Sequence, residues 1–347
     1  MRSGPRLVAL GLLLAALAAA SWLLPQLVND YLIRVLVVIC INGLLVASLG
    51  LGNGFTGVFS LGHVGFVGVG AYVSGILSLP VTAKAAYLSH LPEWLAHWSL
   101  PFLPATLVAG LVTLLLALLV GAPLMRLSGH FVSVATLGFL IIVNVILINA
   151  NDFTRGARTF TGVPVETTLP WALGWLVVGL AILARIAYSP TGRRFRAVRE
   201  DTIAAQAIGI AVLPTRLVAF AAGAFFAGVG GSLYGHYLGS FSPAAFYFPY
   251  TFALISMLVI GGMRSLTGAI VGVVAVSVLN ELLRNLERGF SLAGLVLPPL
   301  YGASQIVLGA IFILVMIFRP RGIMGDFEIS FGRLGGLINR NGKGQGQ

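Results

Sequence analysis

The sequence predicts an all-α fold, a polytopic transmembrane bundle of about ten helices with both ends on the cytoplasmic side. Three observations predict it. Hydrophobic residues make up 58% of the 347 residues and charged residues only 9%, too little charge to cover the surface of a water-soluble domain of this length. Apolar runs long enough to cross a bilayer recur along the whole chain, bounded by Pro, Gly or charge. Lys and Arg are divided unevenly between the alternate connections.

The runs fall near 7–24, 31–51, 63–79, 102–122, 131–149, 170–188, 217–237, 246–263, 266–284 and 301–318. The first, behind Arg2 and Arg6, imitates a secretory signal, with Ala18 and Ala20 in a cleavage-like spacing. Its length and the many spans after it favour a first helix that stays attached. With the N-terminus inside, fifteen of the 21 Lys and Arg fall on the inner side and six on the outer, the bias that retains an N-in, C-in orientation. The same bias accounts for the net charge of +11. The basic residues form no stripe interleaved with aromatics, so nucleic acid is not an expected partner and the lipid bilayer is. Residues 1–325 read as a single transmembrane domain, and 326–347 as a flexible basic cytoplasmic tail. Small residues four apart, as in Gly50/Gly54, Ala71/Gly75, Gly231/Gly235/Gly239 and Gly268/Gly272, predict close helix crossings.

Several chemistries are absent. Neither lysine, Lys84 or Lys343, follows a glycine-rich turn and precedes Ser or Thr, so the chain has no phosphate-binding loop. There is no H-E-x-x-H pair and no G-x-S-x-G elbow. A single cysteine, Cys40, excludes an internal disulfide. His90, Glu93 and His97 have helical spacing, but Trp94 and Trp98 beside them favour a segment at the lipid headgroups over a metal site. Arg34, Arg185, Glu281 and Arg284 lie near span ends, where they are read as snorkelling to headgroups, which leaves a path without charged side chains. No coupling carboxylate stands at mid-span, so energy for pumping would come from elsewhere.

Two segments stand out. Gly52 to His63 carries helix-breaking glycines and Asn53, yet is too apolar for an ordinary solvated loop. It reads either as a discontinuous helix beside a translocation path or as a tight turn whose polar groups are satisfied locally. A fainter echo opens the fifth span at Gly129-His130, and His63 and His130 read as packing residues before ligands. The inner loop at 189–216 holds Arg193, Arg194, Arg196 and Arg199, followed by Glu200 and Asp201, which are expected to start a short helix. Ile203, Ala207 and Ile208 can share its apolar face, and Gly209 is its stop. Such a helix either docks in a groove of a soluble partner or lies on the membrane surface.

Ala204-Ala205 followed by Gly209 matches the Ala-Ala…Gly core of the coupling segment of ABC-importer permeases. Ser60-Leu61-Gly62-His63 runs into Gly68-Val69-Gly70-Ala71-Tyr72, and Leu127-Ser128-Gly129-His130-Phe131 precedes Ala135-Thr136-Leu137-Gly138. Later come the segments from Ala227 to Tyr234, Ile260 to Gly268 and Phe318 to Ile323. With these marks in order over roughly 35–325, the chain resembles the permeases of the branched-chain amino-acid (leucine, isoleucine, valine) importer. The resemblance implies a multi-pass subunit of the bacterial inner membrane and no enzyme. Its partners would be a second related permease, two cytoplasmic ATPases that use the ATP, and an extracytoplasmic solute-binding protein. No cofactor would be bound by this chain itself.

By the same resemblance Arg199, Glu200, Asp201, Ala204, Ala205 and Gly209 would contact an ATPase. The general importer motif has Glu directly before the Ala pair, whereas Ile203 stands here, so that glutamate's role is not transferred directly; Glu200 lies one turn earlier. Candidate path residues are Asn42, Asn53, Ser60, His63, His130, Thr136 and Asn144. Branched-chain amino acids are the favoured substrate, with urea or short amides as the alternative on the same scaffold and a passive channel as the alternative of another class.

Overall fold

In a bilayer an unpaired backbone amide has no water to bond, so an apolar run that long is driven into helix. The computed structural model describes residues 29–88, 91–287, 291–292, 295–296, 302–319 and 321–325. Besides two single turns at Glu93–Ala96 and Asn151–Thr154, the helices in chain order are α1 (Asp30–Gly50), α2 (His63–Ser78), α3 (Val81–Tyr87), α4 (Phe102–Leu124), α5 (His130–Asn149) and α6 (Leu169–Ala187). There follow α7 (Pro190–Glu200), α8 (Thr202–Ala207), α9 (Val212–Leu238), α10 (Phe248–Gly261), α11 (Leu266–Glu287) and α12 (Ala303–Phe318). A π-helical turn at Leu51–Phe55 extends α1, and a 3-10 turn at Pro243–Phe246 leads into α10. Strands are vestigial: β1 (Phe160–Thr161) pairs antiparallel with β2 (Ser240–Phe241), and β3 (Ser291–Leu292) with β4 (Leu295–Val296).

The fold is therefore all-α, and seven of the described helical segments are long and apolar enough to cross a membrane. The α2–α3 pair adds an eighth only if its 115° bend is counted within one span, and the apolar stretch Ile306–Phe318 of α12 is shorter. The predicted run at 7–24 and the tail at 326–347 lie outside the described residues. Pro80 explains the bend, since it lacks an amide donor and α3 restarts from it.

The core forms around α9, which packs most extensively on α2 and α4 and is buried along most of its length. Lipid tails are as apolar as these side chains, so association depends on close packing and on hydrogen bonds between helices. At the α2–α9 crossing a Cβ on Gly70 would lie 2.3 Å from the Gly228 carbonyl oxygen, and one on Gly231 would lie 2.0 Å from that of Val67. The α10–α11 crossing has the same construction, with Gly261 and Gly272 backbone to backbone. Polar contacts join α9 to both neighbours: Thr106 of α4 and Ser232 hydroxyls meet at 2.8 Å, and Ser78 Oγ of α2 meets His236 Nε2 at 2.7 Å. Outward faces of α4 and α5 expose Leu111, Leu115, Leu119, Ile142 and Ile146, the surface a lipid-solvated bundle requires.

The crossing gives a direct test. Gly70→Val has no room without separating α2 from α9, and we expect a cost of at least about 1–3 kcal/mol, read as a lowered unfolding temperature in detergent. Gly138→Ala, whose Cβ would meet nothing within 4 Å, should leave that temperature unchanged. Equal effects of the two would refute the close-approach account.

Candidate functional site

At one end of the bundle the chain leaves α1 through the π turn and runs without regular structure to α2. Several polar groups along this break are held by specific partners. The Asn53 carboxamide accepts the Ser60 amide at 3.0 Å and donates to the Ser60 carbonyl at 3.3 Å, closing the segment on itself. Thr56 Oγ1 donates to the Gly52 carbonyl at 2.7 Å. From α5, Thr136 Oγ1 accepts the Leu61 amide at 3.0 Å and Ser133 Oγ donates to the Phe59 carbonyl at 2.7 Å. The break thus has the local satisfaction of a tight turn and the packed surroundings of an interrupted helix. Gly54 is required because a Cβ there would fall 1.6 Å from the Met263 carbonyl oxygen, and Gly57 because its φ is +70° against the Arg199 side chain.

The inner loop packs beneath this break. Ser189 caps α7, its hydroxyl accepting from the amides of Thr191 and Gly192, and Pro190 fills the first turn where no donor is needed. Phe195 and Val198 are buried, which fixes α7 against the bundle and leaves Arg193 and Arg194 exposed. The expectation that Glu200 and Asp201 together start one helix needs correction: Glu200 ends α7, and Asp201, in extended conformation, caps α8 by accepting the amides of Ile203 and Ala204 at 2.8 and 3.0 Å. A carboxylate caps better than it propagates a helix, so the chain splits at Asp201. Gly209, at φ +82°, stops the segment as read.

The loop presents two faces. Ile203 and Ile208 are 78% and 74% exposed, with Ala204, Ala207 and Gly209 exposed beside them. Ala205 is buried, and Arg199 turns inward: its Nη1 donates to the Gly54 carbonyl at 3.0 Å, while Nη2 and Nε reach Glu200 Oε1 at 2.6 and 3.1 Å. The hydrogen bonds from Arg199, and then its charge, hold the exposed Glu200 carboxylate below the usual range.

At the opposite end of α1, a cleft of about 530 Å³ opens between α1 and α11. Tyr31, Arg34, Asn42, Tyr237, Ser277, Asn280, Glu281 and Arg284 supply its polar lining, and Val35, Val38, Ile39 and Met257 its apolar lining. The Tyr31 hydroxyl donates to Glu281 Oε1 and accepts from Arg284, whose Nη2 lies 3.5 Å from the same carboxylate. Asn42 accepts from the Tyr250 hydroxyl at 2.8 Å. Arg34, Glu281 and Arg284 therefore line a cleft, which adds to the reading of span-end charges that snorkel or meet headgroups. One helix end serves both purposes because the charges lie on the face of α1 and α11 turned to each other.

The candidate path residues do not converge. Asn42 lines the cleft; Asn53, Ser60 and Thr136 belong to the clasp around the break. His63 is buried with Nε2 3.0 Å from Ser48 Oγ, Asn144 donates to the Pro243 carbonyl at 3.1 Å, and His130 is exposed where α5 begins. Sequence reasoning missed Tyr31, Tyr237 and Asn280 as cleft residues; the available signal was Glu281 and Arg284, three apart on one helix. His90 lies outside the described residues, and among those described no group of three potential metal ligands occurs. Trp94 and Trp98 are 72% and 70% exposed, while Lys84 is buried and donates to the carbonyls of Leu95 and Trp98, pinning that connection.

The fold and its two ends define a polytopic helical membrane protein with a docked two-helix loop at one face and a polar cleft toward the other. Residues 31–316 match the family described as the permease component of the branched-chain amino acid transport system, and the chain belongs to that family. The high-affinity branched-chain amino acid transport system permease protein LivM of Salmonella typhimurium is 28% identical over 305 residues, covering 78% of this chain and 64% of the relative. LivM of Escherichia coli K12 is 27% identical with the same coverage. The permease protein LivH of Salmonella typhimurium is 32% identical over 161 residues, 46% of this chain and 48% of its own length. The chain thus spans just under two thirds of the LivM relatives it matches. No solved structure matches the chain.

The clasp predicts a local stability effect. Asn53→Ala leaves the buried Ser60 amide and carbonyl without their partner, at a cost of about 1–3 kcal/mol. Hydrogen exchange should report it as lost protection at the Ser60 amide with the α9 core unchanged. Protection equal to the parent protein would show that Asn53 does not hold the break.

Proposed function

We propose that this chain is one permease subunit of an ABC importer, forming part of the path for branched-chain amino acids across a bacterial inner membrane. The observation that carries the reading is the α7–α8 loop: it is capped, docked and stiff on one face, and offers exposed Ile203 and Ile208 beside Glu200 on the other. An exposed apolar pair on a rigid, helix-borne projection suits a groove on a soluble partner. The names of the LivM and LivH relatives support a system with two related permeases.

In this reading about ten spans place both ends on the cytoplasmic side, so α8 meets one of two ATPases that use ATP, and the cleft faces a solute-binding protein on the far side. Closure of the ATPases displaces α8. The displacement passes through buried Ala205 and through Arg199 to the Gly54 carbonyl, and so to the broken end of α1. No nucleotide is bound by this chain itself.

Uptake of labelled leucine into proteoliposomes holding this subunit, its companion permease and both ATPases, with the binding protein outside, tests the reading. Accumulation that requires ATP and resists excess urea is the expected result. Flux indifferent to ATP would overturn the importer assignment, and uptake of urea instead of leucine would overturn the substrate. Arg199→Ala removes a charge-assisted hydrogen bond to Gly54, of a kind contributing about 1.5–3 kcal/mol. It should reduce uptake per ATP hydrolysed by about tenfold. Unchanged stoichiometry would remove Arg199 from the transmission.

A further inference from the structure

We infer that the cleft between α1 and α11 is a receptor site for a free α-amino acid with an aliphatic side chain. Arg34 would take its carboxylate and Glu281 its ammonium group. The inference rests on the amino-acid importer reading and adds to it a site held by the permease itself, so that selection does not fall to the binding protein alone.

The charge pattern is the first argument. Ionisable side chains within spans are costly and are kept where they meet a partner or a polar cavity. Here Glu281 is already bridged by the Tyr31 hydroxyl and Arg284. A purely structural cluster would be complete at that point. Arg34 lines the same cleft as a second guanidinium, and among the described residues no carboxylate pairs with it. The cleft therefore offers a guanidinium that no carboxylate among the described residues pairs with, beside a carboxylate that is already ion-paired, and a zwitterion can meet both: its carboxylate meets Arg34, with its planar fork of donors, and its ammonium joins the outer side of Glu281. Arg284 Nε, buried and without a hydrogen-bond partner among the described residues, adds a spare donor at the same place.

The second argument is shape. The volume of about 530 Å³ lies within the range of about 300–1,000 Å³ in which small-molecule sites fall. Val38, Ile39 and Met257 form the apolar side of the cleft, where a branched aliphatic side chain can be desolvated. Urea has neither a net-charged end nor an aliphatic branch, so it gains from neither half of the site.

The test is equilibrium binding of labelled leucine to the full-length chain assembled with its companion subunits in nanodiscs, with no binding protein present. On the unmodified protein, 4-methylpentanoate lacks the ammonium and isoamylamine lacks the carboxylate. Each should compete about tenfold or more weakly than leucine, and urea should not compete. Arg34→Gln and Glu281→Gln should each weaken leucine binding by about tenfold or more, while Arg34→Lys should retain more of it than Arg34→Gln. Equal competition by leucine and both one-charge analogues would overturn the inference without any mutation. Failure of the nanodisc assembly to bind leucine, when the same subunits in proteoliposomes with the binding protein and ATP still accumulate it, would discard the cleft and leave the importer reading intact. If leucine is neither bound nor accumulated, both fall together.

Discussion

The break between α1 and α2 sets the terms for everything around it. A chain that interrupts its helix inside a bilayer-embedded protein must find a protein partner for each backbone group it releases, since an unmet one costs several kcal/mol. Asn53 supplies two of those partners to Ser60, Thr136 and Ser133 reach across from α5, and Arg199 reaches up from α7. Those requirements fix where α5 and α7 stand relative to α1. The docked loop is thus a structural necessity of the break as well as an exposed projection. Removing Arg199 would leave the Gly54 carbonyl in need of another donor.

The rest of the bundle is built under the complementary constraint that burial alone does not hold helices together in lipid. Glycine on both sides of the α2–α9 and α10–α11 seams brings backbones to contact distance, and around α9 and α2 hydroxyl and imidazole groups bond between helices. His63 and His236 illustrate the division of labour. Each is buried against a serine, Ser48 or Ser78, and each behaves as part of the packing. His63, a candidate path residue by sequence, is thus a cross-helix bond of the scaffold, as is His236.

That contrast explains what was legible beforehand. Helix positions followed from apolar length and from Pro and Gly boundaries, because one periodicity dominates a membrane chain; α5, α6 and α11 begin within a residue of their predicted starts. The Gly209 stop was readable because only a left-handed residue ends α8 there. The split at Asp201 was not, since Glu200 and Asp201 are both ordinary first-turn residues and only the capping geometry separates them. The π turn depends on contacts made by distant helices, whereas the bend at Pro80 has a local cause. The cleft was the largest loss. Residues 31–42 and 277–284 are far apart in sequence, and their charges look like headgroup anchors until the two helices are seen face to face.

Helix α1 is the element common to both ends of the molecule. From Arg34 to Gly54 the chain climbs about 30 Å of nearly continuous helix, with the cleft at its start and the Arg199 clasp at its finish. A helix is stiff along its axis, so a displacement at one end reaches the other without a chain of side-chain contacts between them. The compliant part is the π turn, where the Gly52 carbonyl serves the amides of both Thr56 and Val58, each at 3.3 Å, together with the Thr56 hydroxyl. Shared, long hydrogen bonds are weaker than well-aligned ones, and π turns are frequent at functional sites. In the proposed importer, motion delivered through Arg199 would enter α1 at the π turn and reach the cleft along the helix. A continuous α-helix in place of residues 51–62 would keep the span and lose that coupling.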